Sequence, residues 1–570
     1  MVWVLEYGSA MTAFDRRTLL QGALSLGAAG LLPGWAMAAG AQRSPPALSG
    51  EEIKLTVGHT MAKIDGKAGH AVTVNGAIPG PLIRLKEGTS VKLSVTNTLD
   101  EDTSIHWHGL LVPFQMDGVP GVSFPGIKPG ETFTYEFPIR QSGTYWWHSH
   151  SGLQEQMGHY GPMIIDPAGE DPIAYDREHV VVLSDWSFLH PHELFRKLKV
   201  SPGHFNRQKQ TVGGLLKGQD QSLKDRLEWG KMRMDPTDVA DVTGSLYTYL
   251  MNGHGPGDNW TGLFAPGDRV RLRFINAGAM TIFNVRIPGL SLEVVGTDGQ
   301  LVSPVTVDEF QIAPAETFDV IVRPREDKAF TLVAEASDRS GMARGTLAPR
   351  LGMTAPVPPL RRRPLANMKD MGMGNMHHGM DMPGMDMSMR AQSNAPNVPL
   401  TPGVQTISPM PMDRMAEPPQ GLEDAGHRVL TYADLASLYP PKDPRAPGRT
   451  IEIHLTGNME RFMWAFDGEA FGPIKKPIAF QRDERARVVL INDTMMAHPI
   501  HLHGHFFELV NGQERQPLKH TVNVAPGGKV AFDLTADEPG DWAFHCHLLL
   551  HMHAGMFNVV TVRPLDGAAA

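Results

Sequence analysis

Cysteine is almost absent from this chain: one residue, Cys546, in 570. A single thiol excludes an internal disulfide, so no cross-link braces the fold. A surplus of positive charge is missing too. The formal net charge is −9, with no basic domain, which excludes ordinary nucleic-acid binding. Long apolar runs are also lacking. The run near the N-terminus, Leu19–Leu32, is 14 residues, short of the ~20 that a spanning helix needs. No later run is long enough, so no stable membrane anchor is expected.

Histidine is where the chain is rich, above all around that one thiol. His545-Cys546-His547 is followed by His551 and Met556, an H-C-H-x3-H-x4-M pattern. Two imidazoles, a thiolate and a weak axial thioether are the donors of a blue-copper electron-transfer site. If residues 541–548 form a β-strand, side chains alternate between its faces. Cys546 then points one way and His545 and His547 the other. One strand would touch two metal centres a few covalent bonds apart. A lone cysteine would not carry this reading, because free cysteines are ordinary core residues.

Three more clusters carry it: His106-Trp107-His108, His148-Ser149-His150 and His498-Pro499-Ile500-His501-Leu502-His503. One H-x-H is a weak signal. Four clusters holding ten ligand-type histidines, one cysteine and one methionine are specific. Imidazole suits copper and zinc alike; the soft sulfurs favour copper.

Internal repetition organises the rest. Gly88–Asn97, Gly267–Asn276 and Arg485–Asn492 share strand-like alternation of apolar and polar residues. A second element, Lys128-Pro-Gly-Glu-Thr-Phe, returns as Ala313-Pro-Ala-Glu-Thr-Phe and Ala525-Pro-Gly-Gly-Lys-Val. The simplest account is three homologous all-β domains over 50–170, 178–350 and 428–566, with a linker over 355–425. Copies one and three keep their histidines. In the middle copy Ile282-Phe283-Asn284 stand roughly where ligands would be, so that domain is expected to be structural. Short strands between Gly and Pro turns fit antiparallel sandwiches.

In order and content the four clusters resemble the copper signatures of the multicopper oxidases, over most of residues 50–565. The resemblance implies cupredoxin-like Greek-key β-sandwiches and four copper ions. His498, Cys546 and His551 would hold the type 1 copper, with Met556 axial; His106 and His501 would hold the type 2 copper. His108, His148 and His547 would bind one type 3 copper, and His150, His503 and His545 the other. The implied reaction oxidises a reductant one electron at a time at type 1 and passes electrons through Cys546. Dioxygen is reduced to water at the other three coppers. The eight histidines of that trinuclear cluster divide evenly between the first and third domains, so it is expected at their interface. With both halves in one chain, a monomer is expected. Asp117 matches a family carboxylate that assists dioxygen reduction, and a carboxylate can relay the protons consumed. Its plainer reading is a turn residue before Gly118. Some copper-oxidising relatives carry a glutamate beside the last type 1 histidine; here Met552 and His553 stand there.

One more segment narrows the resemblance. Asn367–Arg390 holds nine methionines in 24 residues: Met368, Met371, Met373, Met376, Met380, Met382, Met385, Met387 and Met389, with His377 and His378 among them. Gly, Pro and Asp break any helical stripe, so it reads as poor core material. Thioethers select Cu(I), and several on a flexible chain could capture additional Cu(I) and deliver it to type 1. A plain linker would seldom be so rich in methionine, because exposed thioethers oxidise. With Met495-Met496 just before His498, the chain looks most like periplasmic copper-resistance multicopper oxidases of the copper-resistance protein A type. The expected partners are dioxygen, Cu(I) or a phenolic reductant, and periplasmic copper carriers. Two other functions share part of the pattern. A laccase acting mainly on phenols would share every copper ligand. A copper-sequestering protein would need no trinuclear site.

The N-terminus supplies a compartment. Arg16-Arg17 precedes the apolar run and Ala36-Met37-Ala38 follows it, the order of a twin-arginine signal over residues 1–38, with Met11 as an alternative start. Export by the twin-arginine machinery carries folded protein to the periplasm, which permits copper loading beforehand.

Overall fold

The computed structural model describes residues 47–374, 388–472 and 475–565. The signal-like segment 1–38 lies outside them. Among the described residues no helix is long and apolar enough to cross a membrane.

Strands form where apolar residues alternate. Along Glu52–Ile64 the early positions alternate between exposed and buried, turning Ile53, Leu55 and Val57 inward. Six main sheets fall in three successive pairs along the chain, each pair a cupredoxin-like β-sandwich. In every sandwich a leading strand lies parallel to the repeated strand: Glu52–Ile64 beside Ser90–Asn97, Arg177–Trp186 beside Val270–Asn276, Arg449–Asn458 beside Glu484–Asn492. The second repeated element opens the strand that pairs antiparallel on the other side: Thr132–Pro138, Thr317–Val322 and Gly528–Ala536. Parallel neighbours cannot be joined by a hairpin, so the chain crosses between sheets in Greek-key fashion.

The asparagine ending each repeated strand explains why it recurs. Asn97, Asn276 and Asn492 are fully buried. Each side-chain NH₂ donates to two backbone carbonyls: Glu101 and Ile127, Thr281 and Ile312, Met496 and Val524. Each side-chain oxygen accepts the N–H two residues on, at Leu99, Gly278 and Thr494. One residue thus ties the strand end to the loop that follows and to the opposite sheet.

That loop leads into the strand bearing the histidines. In the first sandwich His106–His108 pairs with Gly143–His148, with His106 opposite His148. In the third, His498–Leu502 pairs with Gly540–Cys546, with His501 opposite His545. The corresponding pair in the middle sandwich sets Phe283 opposite Ala336, both buried.

Between Arg177–Trp186 and Thr248–Met251 the chain makes a helical excursion. Pro191–Val200 starts with proline in its first turn, where the missing N–H costs nothing. Val212–Leu216 and Leu223–Met232 are capped by Thr211 and Ser222, whose hydroxyls accept from Gly214 N and Asp225 N. Three residues with a bearing on the site, Met232, Met234 and Asp241, belong to this excursion.

The described ends of the methionine segment, 367–374 and 388–390, are better core than the sequence suggests. Met371 is 5 % exposed, and buried Asp370 accepts from Arg414 at 2.7 Å. Thioether chains are unbranched and flexible enough to fill irregular gaps, so Gly and Asp interruptions do not stop them packing.

Candidate metal centre

The strand Gly540–Cys546 divides its neighbours as alternation demands. On one face Cys546 meets His498 and His551: its Sγ is 3.6 Å from His498 Nδ1, which is 3.3 Å from His551 Nδ1. All three, and Met556, are fully buried. The short helix Leu549–His553 brings His551 back, and the Met556 carbonyl accepts the Cys546 N–H. Burial pushes the Cys546 thiol up and holds His498 and His551 well below the ordinary imidazole value. Neutral imidazoles and a thiol that ionises only beside a cation suit a metal ion.

Two groups missed in the sequence complete this cluster. Asp241 Oδ2 accepts from His551 Nε2 at 2.7 Å, and burial pushes that carboxyl up to about 7. Trp464 stacks on the His551 ring at 3.8 Å. The His551 edge that could face an external substrate is therefore closed.

On the other face lie the eight remaining histidines. Three ligand groups form among them: His106, His108 and His501; His108, His148 and His547; His150, His503 and His545. In each group the donor atoms lie within 4.8 Å of one another. His106 stacks on His503, and His108 on His501, at 3.8 Å, so the first and third sandwiches interleave their imidazoles.

The hydrogen bonds leave ring nitrogens bare toward the centre. The Nδ1 atoms of His106, His501 and His545 donate to the carbonyls of Asp117, His520 and Cys546. His503 Nδ1 donates to Asp117 Oδ2 at 2.8 Å and His148 Nδ1 to Glu155 Oε2 at 2.7 Å. A neutral imidazole that donates through Nδ1 carries a lone pair on Nε2. The Nε2 atoms of His106, His148, His501 and His547 have no hydrogen-bond partner despite full burial, and neither nitrogen of His108 has one. His503 Nε2 and His545 Nε2 face each other at 3.0 Å with no proton between them. Such an arrangement is costly unless a cation sits in it, and a set of borderline-soft imidazoles beside a thiolate fits copper. Burial first, then the neighbouring imidazoles, lowers His108, His148, His150, His501, His503 and His547 well below the usual value. Burial also brings His545 to about 4. All seven are neutral at neutral pH and free to act as donors.

Asp117 spans the two halves. It follows the short helix Phe114–Met116 and is fully buried. Its carboxylate meets His503 of the third sandwich and lies 3.3 Å from His106 Nδ1 of the first. Gly118 after it has φ +81°, and a Cβ there would meet the Ile105 carbonyl oxygen at 1.8 Å, so only glycine closes this turn.

The methionines form a third assembly. Met371 and Met495 are buried around Trp229 and Ala366, with Met232, Met234, Met368, Met373, Met389 and Met459 packed against them. Met496 instead joins the core that contains Cys546. Met376, His377, His378, Met380, Met382, Met385 and Met387 lie outside the described residues. Met232, Met234 and Met459 were missed, because they stand far from the methionine-rich run.

One buried Cys–His cluster in the third sandwich and a bed of eight histidines from the first and third are the donor set of a redox copper protein. The chain belongs to the multicopper oxidase family: models of that family match residues 56–170, 178–350 and 444–566. It is 48 % identical to copper resistance protein A of Escherichia coli, over 96 % of this chain and 99 % of that one. It is 49 % identical to a copper resistance protein A homolog of Pseudomonas syringae pv. tomato, over 97 % and 99 %. The laccase of Botrytis aclada shares the fold at a TM-score of 0.61 and 22 % identity, over 90 % of this chain and 88 % of that one. The protein is thus an oxidoreductase of the multicopper oxidase family, with copper cofactors.

Proposed function

We propose that the enzyme oxidises Cu(I), with dioxygen reduced to water, and so converts the more toxic ion to Cu(II). His498, Cys546, His551 and Met556 would hold the type 1 copper. His106 and His501 would hold type 2. His108, His148 and His547 would hold one type 3 copper and His150, His503 and His545 the other. When bound, these coppers accept single electrons and deliver them to dioxygen.

The protein's own groups do the rest. His545 donates to the Cys546 carbonyl at 3.1 Å, so one residue step joins the two clusters. Asp117, held between His106 and His503, is placed to pass protons to the reducing site. Trp464 and Asp241 close off His551, keeping water and aromatic rings from its edge.

The observation that carries the substrate is the methionine assembly. Met495 belongs to it and stands three residues before His498. Thioethers bind Cu(I) in preference to harder cations. A laccase reading is disfavoured because His551 offers no exposed edge to a phenol. A pure sequestering role leaves the eight-histidine bed without purpose. We further propose that the three domains span 50–170, 178–350 and 428–566, and that the protein reaches the periplasm by twin-arginine export as a monomer.

The test replaces Met371 and Met495 together by leucine and follows Cu(I)-driven oxygen uptake. KM for Cu(I) should rise about tenfold, the effect of ~1.4 kcal/mol of lost binding, with phenol oxidation unchanged. Equal loss for both substrates would count against the assembly as a Cu(I) site.

A further inference from the structure

Away from both clusters, one exposed face gathers imidazoles from separate parts of the chain. His59 lies on the strand Glu52–Ile64 and His70 on its antiparallel partner Lys67–Val74, diagonal across the register in which His59 faces Val72. Past Val57 the leading strand runs beyond its sandwich, so the face that was buried becomes exposed there. Asp100 reaches the pair from the loop after Asn97, and the His59 and Asp100 side chains are 42 % and 92 % exposed. His190 and His192, at the start of Pro191–Val200, stack at 5.4 Å.

The hydrogen bonds prepare a ligand pair. His59 Nε2 lies 3.3 Å from Asp100 Oδ1, and His59 Nδ1 lies 3.1 Å from His70 Nε2. An ionised carboxylate only accepts, so His59 carries its hydrogen on Nε2 and a lone pair on Nδ1. One proton, on His70 Nε2, fills the space between the two nitrogens. Two imidazole nitrogens at about 2.0 Å from one metal ion, in adjacent positions, stand roughly 3 Å apart. A metal ion can therefore replace that proton with little rearrangement. A carboxylate on the far nitrogen is the arrangement that fixes the tautomer and raises the basicity of metal-binding histidines.

We propose that His59 and His70, oriented by Asp100, form a surface site for one divalent copper ion. Imidazole donors take Cu(II) ahead of Zn(II), whereas thioethers select Cu(I). The protein then carries separate sites for the two oxidation states: methionines for Cu(I) and this face for Cu(II). The proposal does not rest on the oxidase reading.

The experiment titrates copper-loaded, full-length protein with Cu(II), and separately with Zn(II), by calorimetry with parallel electron paramagnetic resonance. Wild type should bind one more Cu(II) equivalent than His59→Ala/His70→Ala, with nitrogen hyperfine coupling, and should bind Zn(II) there more weakly. Asp100→Asn should keep that equivalent and weaken it about 10–100-fold. The blue absorption should be the same in all of them, which shows that each is folded. Equal stoichiometry and affinity in wild type and the double variant would overturn the site. An extra equivalent without nitrogen coupling would also overturn it, and an undiminished affinity in Asp100→Asn would remove the carboxylate from it.

Discussion

Two carboxylates divide the work at the scale of single residues. Asp117 touches histidines of both halves, which on the proposed function sets its carboxylate beside the dioxygen-reducing site. Asp117→Asn keeps the shape and removes the proton carrier. Oxygen uptake should fall about 10²-fold or more while the blue absorption stays. A variant with unchanged uptake would return Asp117 to a turn residue. Asp241 acts instead on His551, where an acceptor on Nε2 makes the imidazole a stronger donor. Asp241→Asn should raise the type 1 potential by several tens of millivolts, ~59 mV being a tenfold change for one electron. A redox titration of the blue band reads this directly. The ten histidines and Cys546, which fall together in buried groups, were legible because motif spacing is local and strand alternation converts it into faces. Asp241 and Glu155 were not. Nothing beside Asp241 in the sequence resembles a metal motif, and only the helical excursion carries it to His551. Glu155 had a faint signal, seven residues after the histidine it holds.

At the scale of elements, the repeated strand and its terminal asparagine are what the three sandwiches share. The sequence repeats were visible because pairing needs the same alternation each time. The purpose of the asparagine was not visible, since its partners stand up to 36 residues away. Asn276 tests it without copper, as no ligand group among the described residues falls in the middle sandwich. Asn276→Ala removes two donated bonds and one accepted bond from a fully buried corner. It should destabilise the protein by roughly 3 kcal/mol, given ~1–3 for each group left unsatisfied and partial relaxation. Thermal unfolding should show the loss with copper content intact. A shift below a degree would mean the corner is held by packing alone. The helical excursion shows the other limit of sequence reading: its caps are ordinary, yet it delivers Met232 and Met234 to methionines more than a hundred residues away.

For the whole molecule, stability, copper and protons are linked. Ligands of the folded protein bind copper as neutral imidazoles and a thiolate, so copper stabilises the fold and acid opposes it. One group outside the clusters adds to the acid sensitivity. His159 is fully buried, neither ring nitrogen has a partner, and burial lowers it to about 3. Unfolded, it would bind a proton near 6.5. Between those values the unfolded chain holds more protons, so stability falls as pH drops from about 6.5 toward 3 and is unaffected above. At pH 5 this one group costs ~2 kcal/mol. His520 and His545, lowered by burial to about 4, act in the same sense in metal-free protein. The unfolding temperature of metal-free protein should therefore decline steeply below pH 6.5, less so in His159→Gln. Parallel pH profiles would contradict the assignment.

The central claim is that Cu(I) is the reductant, and oxygen uptake by the copper-loaded enzyme tests it most directly. Uptake is measured with Cu(I) and with a phenol, each with and without added Cu(II). The predicted result is rapid uptake with Cu(I), continuing well beyond the bound copper, and slow phenol oxidation that added Cu(II) stimulates. Rapid phenol oxidation with negligible Cu(I) turnover would contradict it, and would leave the methionine assembly as packing around a laccase.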